Sequence, residues 1–167
     1  TEVNDLNVTV TQMAAAGVGT PSVIAFGGVS PSTNYAALTE IWDGTSWTET
    51  TDLNTGRHGL AGVGTTTNAL AIAGNDNPVT GASEEWTGAG AAIGAWATGG
   101  TLNTARRTLG SAGTRDAALA YGGTPGPTGA TELYDGSSWT EVNDLNTAGR
   151  DIRGAGTSTA AIAMGRD

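Results

Sequence analysis

Acidic residues that recur with the same spacing are the first candidates for chemistry. Glu40 and Asp43 form one such pair, and Glu132 and Asp135 form another. Two carboxyl groups can act as acid and base in glycoside hydrolysis, and carboxylate oxygens are common ligands of Ca²⁺. Each acid, however, recurs at one position of a repeated segment, so equivalent acids belong to different structural units. Because Asp-Gly forms turns and a strand Glu can pair with an arginine, the sequence favours structural roles.

The chain has a single histidine, His58, and no cysteine. A general base needs a partner that orients it, and the spacing reveals none. His58 as a packed or solvated residue is therefore favoured over His58 as a base. Zero cysteines exclude a thiolate nucleophile and a disulfide framework, and one histidine excludes a histidine cluster. The sequence predicts neither a cofactor nor a metal site.

Three arginines lie at the start of predicted innermost strands, and two interpretations stay open. Arg57, Arg106 and Arg150 could ring one mouth of a central channel, where guanidinium groups would favour carboxylates or sulfated sugars. Alternatively, they form hydrogen bonds between the repeated units and ion pairs with Asp52, Asp144 or Glu141, which is the favoured interpretation. Arg57 and Arg106 are retained as candidate binding residues.

The most variable segments are the loops that follow each predicted second strand. Variable loops on a repeating frame are where recognition usually occurs. The best candidates for ligand contacts are Tyr35, Asn75, Asp76, Asn77 and Arg115. For the three consecutive polar residues, a solvated turn remains the alternative.

These residues are positioned by a tandem repeat. The first seven residues, TEVNDLN, recur letter for letter as Thr140 to Asn146, and the variations between them give a period of about 46 residues. We expect one domain over residues 1–167. Its repeats span about 6–52, 53–101 and 102–144, and a partial repeat, 145–167, is completed by residues 1–5.

The pattern within each repeat predicts four short β-strands. Each unit holds four stretches of a few residues bounded by Gly, Pro, Asn, Asp or Ser, which is typical of strands. The 27 glycines argue against helices. Asp43-Gly44 and Asp135-Gly136 predict hairpins with type I′ turns. Small residues on the first strand predict crowding around a common axis, and the five tryptophans, at two repeat positions, predict a core between sheets.

The predicted innermost strands are Gly59 to Thr65, Leu109 to Thr114 and Arg153 to Thr157.

These units resemble kelch-type β-propeller repeats, and more loosely the kelch-like arrays of phage and environmental sequences. The resemblance rests on Gly27-Gly28 and Gly122-Gly123 after the second strand, on Trp42 and Tyr134 before the turn, and on the second tryptophans. Arg57, Arg106 and Arg150 are aligned with the arginine that opens the first strand. The resemblance implies an all-β propeller of four-stranded antiparallel blades, with three complete repeats and a split partial blade.

Composition limits the partners. The formal charge is −9, and all seven basic residues are arginines. An acidic surface without lysine argues against nucleic acid and against anionic membranes. The incomplete fourth repeat predicts pairing with another copy or with the rest of a longer chain.

The functional expectation is a non-catalytic binding or structural module that recognises a protein or glycan ligand. An extracellular or virion-associated location is favoured, as in a virion tail or a secreted adhesive protein. Two alternatives stay open: a propeller enzyme acting on carbohydrate, of glycosidase or lyase type, and an assembly element without a small ligand.

Overall fold

The computed structural model describes residues 4–19, 21–88, 94–126 and 128–166, and the regular elements in these ranges are all β-strands. The all-β prediction is confirmed. The first sheet contains β1 (Ala14–Gly19), β2 (Ser22–Phe26), β3 (Thr39–Trp42) and β4 (Trp47–Glu49). The second contains β5 (Ala61–Gly64), β6 (Asn68–Asn75), β7 (Val79–Thr87) and β8 (Ala95–Thr101). The third contains β9 (Gly110–Thr114), β10 (Ala117–Tyr121), β11 (Thr131–Tyr134) and β12 (Trp139–Val142). The fourth contains β13 (Arg150–Gly156) and β14 (Ala161–Arg166).

Each sheet is an antiparallel meander in which the strands follow one another in chain order. The first strands, β1, β5, β9 and β13, lie side by side in chain order and line the same two cavities. Three sheets have four strands, and the fourth has two among the described residues. Residues 1–5 are expected to complete the fourth repeat; of these, Thr1 to Val3 lie outside the described residues, and Asn4 and Asp5 are not in a strand.

No helix in the described part of the chain has the length and apolarity needed to cross a membrane.

Neighbouring sheets pack so closely at the first strands that side chains there must be small. A Cβ atom added to Gly62 on β5 would lie 2.8 Å from the ring of Phe26 on the preceding sheet. That distance is shorter than van der Waals contact, so any larger residue would push the two sheets apart. The predicted crowding of small residues on the first strands is confirmed, with β5, β9 and β13 starting within three residues of the predicted positions.

The glycine pairs after the second strands join one sheet to the next. Gly27 and Gly122 adopt left-handed φ angles of 70° and 66°, which glycine reaches without strain. Ala73 occupies the equivalent position in the second sheet and adopts the same conformation, with φ of 56°. The following residue donates its amide across the gap, as Gly28 does to the carbonyl of Arg57 at 2.8 Å. The repeat therefore imposes this backbone even where the residue is not glycine.

The predicted type I′ turns are wrong. Each hairpin between the aromatic residues has a four-residue loop, 43–46 or 135–138, because Trp42 pairs with Trp47 and Tyr134 with Trp139. Only the glycines of the Asp-Gly pairs have positive φ, at 98° and 95°, whereas a type I′ turn needs it at both central residues. The extra length allows the aspartate side chain to accept hydrogen bonds from the loop backbone.

The aromatic pairs build the core between sheets. Ring centroids are 5.5, 5.4 and 4.9 Å apart in the first, second and third sheets. In the second and third sheets, the second tryptophan of the pair covers the preceding sheet: Trp96 packs 4.9 Å from Phe26, and its indole nitrogen donates to Thr39 at 3.2 Å. Trp139 donates in the same way to Ser83. Trp42, Trp86, Trp96 and Trp139 are buried, as predicted, while Trp47 is half-buried.

Candidate functional site

The recurrent glutamates are held in buried clamps. In the second sheet, Glu84 accepts hydrogen bonds from the backbone and side-chain amides of Asn54 at 2.7 and 2.8 Å. The backbone amide of Thr55 donates to the other carboxylate oxygen, and Arg57 Nη2 pairs with it at 2.8 Å. Asn54 also donates to the carbonyl of Trp96 on the outer strand. The clamp thus ties the segment before the first strand to the third and fourth strands of the sheet, β7 and β8.

The other two complete sheets repeat this geometry. In the third sheet, Asn103 donates twice to Glu132, at 2.7 and 2.9 Å, and Arg106 lies 3.0 Å away. In the first sheet, Asn7 donates twice to Glu40 at 2.8 Å. No arginine contacts Glu40 among the described residues. Since each glutamate is used within its own sheet, the carboxylates do not form a pair of the kind that glycoside hydrolysis needs.

The aspartates of the Asp-Gly pairs stabilise their own loops. Asp43 Oδ1 accepts the backbone amides of Thr45 and Ser46, both at 2.8 Å, which lowers the pKa of its carboxyl group. In the third sheet, the Ser138 amide, the Ser137 hydroxyl and the Ser137 amide lower the pKa of Asp135 to about 2. The favoured structural interpretation of these acids is confirmed.

The candidate ring of arginines does not exist. The Arg57 and Arg106 side chains are 1% and 0% exposed, so neither can contact a ligand at a channel mouth. They form ion pairs, as favoured, but the partners are Glu84 and Glu132 of their own sheets rather than the predicted acids. Burial lowers the pKa of both guanidinium groups, and the neighbouring glutamates act in the opposite direction.

In the fourth sheet, the sequence alignment matched Arg150 to Arg57 and Arg106, but the equivalent residue is Gly149, one position earlier. Three backbone carbonyls accept equivalent hydrogen bonds from the glycine that follows the left-handed residue of the preceding sheet. The carbonyls are those of Arg57, Arg106 and Gly149, and the donors are the amides of Gly28, Gly74 and Gly123. Gly149 is therefore the equivalent of the two buried arginines, and Arg150 is the equivalent of His58 and Arg107. In the structure Arg150 is exposed.

Four equivalent residues with left-handed backbones form a rim at the start of the first strands. Gln12, Gly59, Thr108 and Asp151 have φ angles of 55°, 62°, 53° and 53°. The amides of Gly59 and Thr108 each donate to the carbonyl of the preceding rim residue, at 2.9 and 2.6 Å, which links three sheets in series. Three of the four are not glycine, so the surrounding structure sustains local strain, a feature that concentrates at functional sites.

The rim borders a cavity of about 280 Å³ that is lined by residues of all four first strands. All four rim residues line it, together with Ser111 from the wall. The Thr108 hydroxyl is buried and has no hydrogen-bond partner among the described residues. A buried hydroxyl without a partner costs about 1–3 kcal/mol, which adds to the local strain of the rim at Thr108.

A polar cluster extends outward from the rim. His58 Nδ1 lies 2.8 Å from the side-chain oxygen of Gln12, and His58 Nε2 lies 2.9 Å from the amide nitrogen of Asn75. The Tyr35 ring packs 5.8 Å from the imidazole at a tilt of 46°. Gln12 and Asn75 thus orient the histidine, and neither partner was evident from the spacing in the sequence. We call Tyr35, His58, Asn75 and Gln12 the rim cluster.

The structure separates the predicted contact residues. Tyr35 and Asn75 belong to the rim cluster, and Asp76 and Asn77 follow in the adjoining turn, where the Asn77 amide donates to the Asn75 side chain at 3.2 Å. Arg115 lies in the β9–β10 turn, at the opposite end of the sheets, where it pairs with Asp116 at 2.7 Å. The predicted residues therefore do not form one site.

Sequence reasoning missed Gln12, Thr108 and Asp151. Their signal was present in the spacing, since each lies five residues after the asparagine of a Leu-Asn pair, as Gly59 does. This pair recurs in every repeat, as Leu6-Asn7, Leu53-Asn54, Leu102-Asn103 and Leu145-Asn146. Among the described residues, no group of three or more His, Cys, Asp or Glu side chains could hold a metal ion.

The imidazole of His58 should be harder to protonate in the folded protein than in the unfolded chain. Burial and, to a smaller extent, the charge of Arg107 lower the pKa of this imidazole below its ordinary value of 6.5. An NMR titration of the folded protein should give a lower pKa than the urea-unfolded chain. Because the unfolded state binds the proton more tightly, the contribution of His58 lowers the free energy of unfolding as the pH falls below about 6.5.

Arg107→Gln is the matched variant for this titration. It removes the smaller cause of the shift, so the pKa of His58 should rise but stay below the unfolded value. A pKa at or above that of the unfolded chain in the wild type would contradict the packing of His58 described above.

Comparisons with known proteins address the fold. No protein-family model matches the sequence, and no curated protein is similar to it. The solved structure of YjhT is similar, with a TM-score of 0.74 and 12% sequence identity over 89% of this chain and 60% of that one. The chain thus spans about 60% of the YjhT structure. At this identity the likeness shows a shared fold and nothing about activity.

Proposed function

We propose that this chain forms part of a β-propeller with kelch-type blades and acts as a non-catalytic binding module. The propeller assignment is supported by four meander sheets whose first strands adjoin in chain order and line common cavities. Small residues on those strands and aromatic pairs farther out suit wedge-shaped spaces between blades. The fold shared with YjhT is consistent with this architecture.

The position of the rim cluster beside the axial cavity is the observation that carries the binding role: Gln12 lines the cavity, and His58, Tyr35 and Asn75 extend outward from Gln12. Tyr35 offers an aromatic ring and Gln12 an exposed amide, both near the start of the first strands. Uncharged hydrogen-bonding groups beside an aromatic ring suit a ligand rich in hydroxyl groups. We therefore propose a glycan, with a sugar unit that reaches the rim of the cavity.

The carboxylates support binding rather than hydrolysis. Asp151 is the only carboxylate among the described residues that line the axial cavity, and its backbone is fixed in the strained rim. Hydrolysis of a glycosidic bond generally needs two carboxyl groups facing each other across the substrate. The glutamates that recur with the repeats are sequestered in their clamps.

A glycan array followed by titration calorimetry of the best ligand tests this proposal. Tyr35→Ala and Gln12→Asn should each weaken binding by about tenfold, because each removes a contact at the centre of the site. Asparagine tolerates the left-handed backbone of position 12, so that variant shortens the side chain without new strain.

Arg115→Ala is the control, since it changes a polar residue at the opposite end of the sheets and should leave the affinity unchanged. Absence of binding to every glycan, or equal weakening by Arg115→Ala, would refute the rim as a glycan site.

A further inference from the structure

The second strand of the fourth sheet is exposed where its counterparts are buried. Ile162 and Met164 on β14 are 65% and 56% exposed. Leu70 and Ile72 occupy the same register positions on β6 and are fully buried. The equivalence is fixed by pairing: Ala161 lies opposite Gly156 as Ala69 lies opposite Gly64. In β6 these side chains belong to the core between the second and third sheets, and β7 pairs with the edge of the strand.

The clamp that precedes the fourth sheet has donors without an acceptor. Asn146 and Thr147 are equivalent to Asn54 and Thr55, which hold Glu84 in the second sheet. In the described part of the chain, Asn146 and Thr147 donate no hydrogen bond, and both are exposed. Three complete sheets therefore define what belongs here: a carboxylate from a strand beside β14.

A cleft connects these donors to the edge of β14. It has a volume of about 210 Å³ and is lined by Leu145, Asn146 and Thr147 on one side and by Ala163 and Gly165 on the other. Leu145 is half-buried, whereas the equivalent Leu53 and Leu102 are each 4% exposed. The half-buried Leu145, a β14 edge that is unpaired among the described residues, and amides able to donate to a carboxylate thus occur together.

We propose that β14 and the Asn146–Thr147 clamp form an acceptor groove for a β-strand of Thr-Glu-apolar-aromatic sequence. The occupant is a peptide segment with the chemistry of β3 and β11, which read Thr-Glu-Ile-Trp and Thr-Glu-Leu-Tyr. It runs antiparallel to β14 and extends the sheet through backbone hydrogen bonds. By the register of β10 with β11, its threonine lies opposite Met164, its glutamate opposite Ala163 and its apolar residue opposite Ile162.

An arginine is not required for the clamp to close. Gly149 stands where Arg57 and Arg106 stand in the second and third sheets, so this groove offers amide donors only. The first sheet shows that such a clamp suffices, since Asn7 and Val8 hold Glu40 without an arginine contact among the described residues. The groove does not involve the rim cluster, so its test is independent of glycan binding.

The test uses a fluorescent synthetic peptide with the sequence of residues 131–142, TELYDGSSWTEV, added to the intact chain. Fluorescence anisotropy should show saturable binding. Replacing the peptide's glutamate at its second position with glutamine should weaken binding by about 10- to 100-fold, because the glutamine places an amide against the clamp donors. Asn146→Ala in the protein should weaken the binding of the original peptide to a similar extent.

A double-mutant comparison makes the result specific. The modified peptide should bind wild type and Asn146→Ala about equally, because the contact is already lost. Asn143→Ala is the control: this exposed asparagine precedes the clamp and should leave affinity unchanged.

Three outcomes would overturn the proposal. They are no binding at about 1 mM peptide, binding that is insensitive to Asn146→Ala, and self-association of the chain that is abolished by Ile162→Glu and unaffected by excess peptide. The last would assign this surface to a second copy instead.

Discussion

Replacing Glu132 with alanine is expected to lower the free energy of unfolding by about 3–5 kcal/mol. The substitution leaves the Arg106 guanidinium buried without its counter-charge, and it leaves the amides of Asn103 and Thr104 without an acceptor. Arg106 keeps its hydrogen bonds to the carbonyls of Ala130 and Ala120, but these neutral groups do not replace the lost counter-charge. Removing one partner of a buried pair costs more than the pair itself contributes.

Urea denaturation measures this effect, and two variants calibrate it. Glu141→Ala changes the exposed residue opposite Glu132 on β12 and should cost less than about 0.5 kcal/mol. Glu40→Ala opens the equivalent clamp of the first sheet but leaves no arginine without its counter-charge, so its cost should lie between the two. Equal costs for Glu132→Ala and Glu40→Ala would show that the arginine finds another partner.

The strands and the core were predictable from the sequence because their signals are local. Glycine, asparagine and aspartate mark the ends of the strands, and the tryptophans keep one register through three repeats. The innermost strands were placed nearly correctly for the same reason, since sheet crowding restricts residue size directly. The hairpin loops were mispredicted because an aspartate that accepts its own loop amides permits a longer turn than the Asp-Gly pair suggests.

The site was harder to predict because its contacts are distant in sequence. The Leu-Asn pairs marked the repeat, but nothing nearby indicated that Asn54 holds Glu84, 30 residues later. Arg150 was matched by residue type, whereas the backbone bonds align Gly149 with the buried arginines. Residue propensities could not predict the left-handed rim. Gln12 and Thr108 adopt a conformation that their residue types disfavour and that the assembled sheets impose.

The packing of aromatic residues between sheets leads to the second large effect. Trp139→Ala should cost about 3–5 kcal/mol, as expected for truncation of a buried tryptophan. Its indole is 6% exposed, stacks 4.9 Å from Tyr134 and donates to Ser83 of the preceding sheet at 3.2 Å. The truncation opens a cavity between the second and third sheets and leaves the Ser83 hydroxyl without that donor.

Trp47→Ala is the matched control, because Trp47 holds the same repeat position in the first sheet but is only half-buried. Its cost should be clearly smaller, about 1 kcal/mol. Trp139→Phe separates the two contributions at position 139: it keeps most of the ring and removes the indole donor, which is worth about 1 kcal/mol. If Trp47→Ala and Trp139→Ala destabilised the chain equally, the second tryptophans would act within their own sheets, and the packing of one sheet against the next would not depend on them.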